Sequence, residues 1–194
     1  MSKILVADLR PDGKEGQTVS DLLCGKLETG AECVRTAELL DDEKLKTLGA
    51  DTLICFPPVH PKSARLLVDE AQDLWHLVAK TNIKRVVIVS SAEVYGPRPH
   101  NIGYLPETRP RSYSGRNEIA QSWVDYEERA ERTFASTQLV ILRPASVLVK
   151  NGSGFFCQLF GRRLGITLPG HDPTLQLLSV DDLVGAICAV IGKD

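Results

Sequence analysis

The sequence predicts an α/β fold built on a doubly wound parallel sheet of about six strands. Three observations carry that expectation. Short apolar runs recur along the 194 residues, they lack the alternation of a half-solvated strand, and segments of helical periodicity separate them. Strands buried on both faces and joined by helices require right-handed crossovers, which set helices on either side of the sheet.

The elements follow in order. The first strand is the run from Ile4 to Ala7, and the turn after it, Ala7-Asp8-Leu9-Arg10-Pro11-Asp12-Gly13-Lys14-Glu15-Gly16, leads to a helix from Thr18 to Leu27. A second strand at Glu32 to Arg35 precedes a helix at Asp42 to Leu48, and a third at Thr52 to Phe56 precedes a helix at Ser63 to Lys80. The fourth strand, Arg85 to Val89, opens into a stretch from Gly96 to Gly115 that is rich in Pro, Arg, Ser and Gly and has no apolar period, hence a loop. Glu118 to Phe134 has helical periodicity and Leu139 to Leu142 is a strand. A glycine-bearing linker at Asn151 to Gly154 leads to a closing strand and a helix at Leu183 to Ile191, with Asp181 as its expected N-cap. No internal repeat interrupts this order, so residues 1–194 read as one domain with a short C-terminal extension.

Composition narrows the function classes. A formal charge of −2 with 25% charged residues lacks the basic excess of a nucleic-acid binder, which leaves small molecules or proteins as partners. No apolar run reaches the ~20 residues of a membrane span. Cys24, Cys33, Cys55, Cys157 and Cys188 are scattered, without a Cys-x-x-Cys pair, and read as buried thiols of a reducing, cytoplasmic compartment. His60, His76, His100 and His171 are far apart in sequence and form no metal-like cluster, so no metal site is expected.

The stretch Val86-Val87-Ile88-Val89-Ser90-Ser91-Ala92-Glu93-Val94-Tyr95-Gly96 resembles the strand and turn that carry the catalytic Ser/Thr in the extended short-chain dehydrogenase/reductases, the superfamily of nucleotide-sugar epimerases and dehydratases. Further matches keep the family's order: Ile83-Lys84-Arg85 before that strand, Leu105-Pro106-Glu107 after it, Val140-Ile141-Leu142-Arg143-Pro144 in the next strand, then Leu168-Pro169-Gly170 and Ser179-Val180-Asp181-Asp182-Leu183. The resemblance implies a Rossmann-like domain that binds NAD or NADP. It also implies a substrate lobe that is reduced or truncated, because the chain stops soon after the Val-Asp-Asp helix.

The same resemblance assigns residues to the cofactor. Gly13 and Gly16 fall at the last two positions of the family's glycine-rich turn, where glycine lets backbone approach a pyrophosphate at a helix N-terminus. Asp8 stands near the first glycine, and an acid and a proline in a longer turn oppose a tight phosphate cradle, so a plain surface loop is the competing reading. Arg35, after the second strand, fits a 2′-phosphate and inclines the cofactor toward NADP. Phe56, Pro57, Ser90 and Pro144, at strand ends, complete the cofactor set, and Ser91 is the family's catalytic hydroxyl. Glu93 falls where sugar dehydratases keep an acid, but Ala92 replaces its Asp neighbour, and Glu93 is read as coincidence.

The family's Tyr-x-x-x-Lys pair is missing. The register places Trp123 at the tyrosine and Glu127 at the lysine, four residues after Tyr113 is Asn117, four after Tyr126 is Ala130, and no lysine occurs from Gly115 to Gln138. Without a phenol and a neighbouring ammonium the family's proton transfer has no carrier. Trp123 and Tyr126, three apart on a helix, read as core packing. The expected function is a catalytically degenerate family member acting as a nucleotide-binding or regulatory domain, with a fusion partner or a second copy as possible company. The alternatives are an atypical oxidoreductase or isomerase on a nucleotide-sugar-like substrate using Ser91, Glu93 or Tyr113, and a protein-interaction domain that binds no cofactor.

Overall fold

The computed structural model describes residues 3–9, 19–27, 32–36, 42–59, 66–96, 105–111, 117–149, 155–162, 170 and 175–192. Gly13, Gly16 and Tyr113 lie outside the described residues, as do His60, His100 and His171. Strands β1 (Lys3–Asp8), β2 (Glu32–Thr36), β3 (Thr52–Phe56), β4 (Arg85–Val89) and β5 (Gln138–Leu142) form one parallel sheet in the order β2-β1-β3-β4-β5. The short strands β6 (Ser146–Leu148) and β7 (Leu177–Ser179) pair in parallel as a separate sheet. The doubly wound parallel architecture is as expected, with five strands in the main sheet rather than about six.

Helices α1 (Val19–Leu27), α2 (Asp42–Leu48), α3 (Val68–Val78), α4 (Glu118–Thr133), α5 (Phe155–Phe160) and α6 (Val180–Ile191) complete the fold. Alternate residues of the central strands feed two cores. Leu5, Ala7, Leu53, Cys55, Val86 and Ile88 pack with Leu74 and Trp75 of α3 and Val124, Tyr126 and Ala130 of α4. Ile4, Val6, Ile54, Phe56, Val87 and Val89 pack with Val19 and Leu23 of α1 and Leu183, Val184 and Ile187 of α6. Continuous apolar runs form these strands because both faces are covered, and period-2 geometry then divides each run between the two layers.

Side-chain caps start α4 and α6. Asn117 Oδ1 accepts from the backbone N–H groups of Ile119 and Ala120 at 3.1 Å each and starts α4. At α6 the cap is Ser179 rather than Asp181: its Oγ accepts from Asp182 N–H at 3.1 Å and donates to Asp182 Oδ2 at 2.7 Å. Asp181 lies inside the first turn, where a carboxylate favours the N-terminal end of the helix dipole. At the far end of α6, the Arg85 guanidinium donates to the carbonyls of Val190 and Ile191 at 3.3 and 2.7 Å.

The cysteines depart in part from the expected buried thiols. Cys24 on α1 is disulfide-bonded, and of the free thiols Cys55 is buried while Cys157 and Cys188 are half-buried. Cys55 sits in the core, where Tyr126 Oη donates to its sulfur at 3.8 Å, and burial pushes its pKa from 9.0 up to about 11. Burial also raises the Tyr126 phenol well above its usual range.

The folded chain therefore holds the Cys55 proton more tightly than the unfolded chain does. Its contribution to stability is complete below pH 9.0 and lost as pH rises to about 11. Denaturant midpoints should fall across that range and fall less in Cys55→Ala, with Tyr126 supplying the residual slope. Equal slopes in the two proteins would remove Cys55 from the account.

Candidate functional site

The strand order reverses direction between β1 and β3, and ligands of open α/β sheets bind beyond the carboxyl ends of the strands at such a point. A cavity of about 720 Å³ lies there, within the range of small-molecule and cofactor sites. Phe56 and Pro57 after β3, Ser90 and Ser91 after β4, and Pro144 after β5 line it, joined by Trp123 of α4 and Leu183 of α6. The structure thus gathers Phe56, Pro57, Ser90, Ser91 and Pro144 at one cleft. For Arg35 only the backbone is described; it pairs with Val6 on β1.

Trp123 and Glu127 occupy the two ends of the expected catalytic pair, one turn apart on α4. Trp123 is 8% exposed and borders the cavity, and its Nε1–H donates to Glu93 Oε2 at 2.9 Å. Glu127 is fully buried. Its Oε1 accepts from Ser90 Oγ at 2.6 Å and Arg143 Nε at 2.9 Å, and its Oε2 from Arg143 Nη2 at 2.8 Å and Arg111 Nε at 2.9 Å. Arg143 also donates to Tyr95 Oη at 3.0 Å, and Arg111 reaches Glu131. The bond to Glu127 pushes the Arg143 pKa further above its ordinary value.

The carboxylate thus satisfies both oxygens with two guanidinium groups and a hydroxyl, the arrangement that makes a buried charge tolerable. It binds α4 to the ends of β4 and β5 and to the segment at 105–111. Ser90 is a partner of Glu127 as well as a wall of the cavity.

Ser91 has a structural duty of its own. Its Oγ accepts from Glu93 N–H at 3.1 Å and caps the short 3-10 turn Ala92–Tyr95, which closes at Gly96 with φ 62°, a left-handed angle that favours glycine. Asp8, at the end of β1, is 9% exposed and accepts from Ser20 Oγ in the first turn of α1 at 2.5 Å. An internal carboxylate therefore stands beside the start of the helix that a phosphate would approach.

Sequence reading missed Arg111 and Arg143 and set aside Glu93. A signal was available for the arginines: a glutamate on the buried face of an amphipathic helix requires a cationic partner, and Arg143 directly follows β5. Trp123 was expected as core packing, and it does pack against Tyr126 with ring centroids 6.0 Å apart, but it also borders the cavity. No cluster of three or more His, Cys, Asp or Glu side chains arranged for a metal occurs among the described residues.

Glu127→Ala leaves Arg143 without its carboxylate partner and Arg111 with Glu131 alone, and should cost about 3 kcal/mol or more of unfolding free energy. Glu127→Lys, which writes back the expected lysine, should cost at least as much, because it sets a third cation among the two. Urea unfolding of the variants measures both, and a native-like midpoint for Glu127→Lys would contradict the network's role.

No protein-family model matches the chain, and no curated protein matches it. Solved structures do resemble it. A nucleoside-diphosphate sugar epimerase from Corynebacterium glutamicum aligns with TM-score 0.73 and 18% identity over 96% of this chain, which spans 43% of that protein. The UDP-glucuronic acid 4-epimerase of Bacillus cereus, solved with NAD, aligns with TM-score 0.69 and 18% identity over 99% of this chain and 74% of its own. The NAD-dependent NDP-hexosamine 5,6-dehydratase TunA aligns with TM-score 0.73 and 16% identity over 100% of this chain and 73% of its own. At these identities the likeness is one of fold, and the fold is the Rossmann-like fold of nucleotide-sugar epimerases and dehydratases.

Proposed function

We propose that this chain is a nucleotide-binding domain of the epimerase/dehydratase type whose catalytic pair has been replaced, so that it binds NAD or NADP weakly and acts as a regulatory or recognition domain. The observation that carries this reading is the engagement of both catalytic positions: Glu127 is held by Ser90, Arg143 and Arg111, and Trp123 by Glu93. The cavity suits such a cofactor in size and place, and Phe56, Pro57, Ser90 and Pro144 are the residues that would hold it. When bound, the nicotinamide supplies a hydride acceptor or donor. The chain's own residues supply apolar walls and orientation, but an indole N–H does not serve as a proton shuttle near neutral pH, and the Ser91 hydroxyl is turned to capping.

Partners on this reading are a small nucleotide and, through a regulatory role, a fused domain or a second copy of the chain. The free thiols of Cys55, Cys157 and Cys188 support a cytoplasmic setting, against which the Cys24 disulfide stands. No helix among the described residues is long and apolar enough to cross a membrane. A second reading, a protein-interaction domain that binds no cofactor, draws on Asp8, a carboxylate at the end of β1 that would oppose a pyrophosphate approaching the start of α1.

Two measurements test these readings. Calorimetric titration with NAD and NADP should give weak binding, with NADP the tighter through Arg35, and Asp8→Asn should strengthen both by about tenfold by removing a like charge near the phosphates. No heat with either cofactor, in the parent chain or Asp8→Asn, would favour the interaction domain. Absorbance at the reduced-nicotinamide band with a panel of nucleotide sugars should show no turnover. A rate near 1 per second or above, the low end of ordinary enzymes, would establish an active enzyme instead, and Ser91→Ala and Glu93→Gln would then locate its acid–base group.

A further inference from the structure

We propose that the cleft distinguishes redox states, binding the oxidised pyridinium form of a nicotinamide nucleotide more tightly than the reduced dihydropyridine. This rests on the reading above that the cavity takes a nicotinamide dinucleotide. Among the described residues that line the cavity, Glu93 is the sole charged side chain, and the remainder are apolar or neutral polar. Its Oε2 accepts the Trp123 indole N–H, a neutral donor that leaves the charge in place, and its Oε1 has no partner among the described residues.

A lone carboxylate beside an aromatic ring at an apolar cavity has the chemistry of a receptor for a planar organic cation. The carboxylate attracts positive charge directly, and the indole adds cation–π attraction that grows with desolvation. Accepting the indole N–H also polarises the ring toward greater negative density on its faces. The oxidised nicotinamide ring carries one positive charge and gains from both effects, whereas the reduced ring is neutral and gains from neither. The half-buried cations Arg143 and Arg111 do not offset this preference, because Glu127 and Glu131 hold them and neither lines the cavity.

Because NAD+ and NADH share every phosphate, ribose and adenine contact, their affinity ratio isolates the nicotinamide head. Calorimetry of the full chain should find NAD+ about tenfold tighter than NADH, which corresponds to lowering the bound couple's potential by about 30 mV. Glu93→Gln, at an exposed position, should bring the ratio close to one. The cation 1-methylnicotinamide should likewise bind more tightly than neutral nicotinamide to the parent chain. Equal affinities for NAD+ and NADH, or tighter NADH, would overturn the inference while leaving dinucleotide binding intact. Binding of neither would overturn both, and a ratio unchanged in Glu93→Gln would show that the carboxylate is not its source.

Discussion

The arrangement of the cleft depends on the burial of a single charge. Glu127 enters the fold on the inner face of α4, where a carboxylate has no access to water, and it is tolerable only because Ser90, Arg143 and Arg111 converge on it. Those three residues come from the end of β4, the end of β5 and the segment at 105–111, so satisfying one side chain fixes the mutual position of three chain segments. The Tyr95 hydroxyl, bonded to Arg143, extends the network to the turn that follows β4. Such a polar cluster is worth having only when complete, since a partly satisfied one is worse than an apolar core.

Fixing α4 in this way also decides what the cavity presents. One turn before Glu127, Trp123 borders the space and meets Glu93 from the turn that Ser91 caps. The ligand-facing chemistry is therefore an indole, a carboxylate and a hydroxyl already engaged with backbone. Ser90 joins the two groups, since it bonds Glu127 and also lines the cavity.

Much of the fold was legible in the sequence because it rests on local pattern. Apolar runs buried on both faces identified the five strands of the main sheet. The two-stranded sheet was harder: Ser146–Leu148 and Leu177–Ser179 are three residues each and half-exposed, too short for periodicity to speak. The cap of α6 went to Asp181 because an acid precedes the apolar run, whereas Ser179 owns the geometry through its reciprocal bonds with Asp182. The cluster around Glu127 was hidden for a different reason: its members lie 16 to 37 residues from Glu127, and only tertiary packing joins them. Glu93 reads as coincidence in the sequence because Ala92 replaces its Asp neighbour, and its bond to Trp123, 30 residues away, comes from tertiary packing.

The grip of Arg85 on the end of α6 bears on how the chain acquires its structure. Its guanidinium, at the first residue of β4, donates to carbonyls 105 and 106 residues later, where the helix dipole concentrates negative charge. The layer that packs on β1, β3 and β4 from the α1 side needs Leu183, Val184 and Ile187 of that same helix. During synthesis, then, the α3 and α4 layer can assemble while the other face of the sheet has α1 over it but not yet α6. The apolar surface that α6 covers stays exposed until that helix has been made, and over that interval the nascent chain is a client for chaperones.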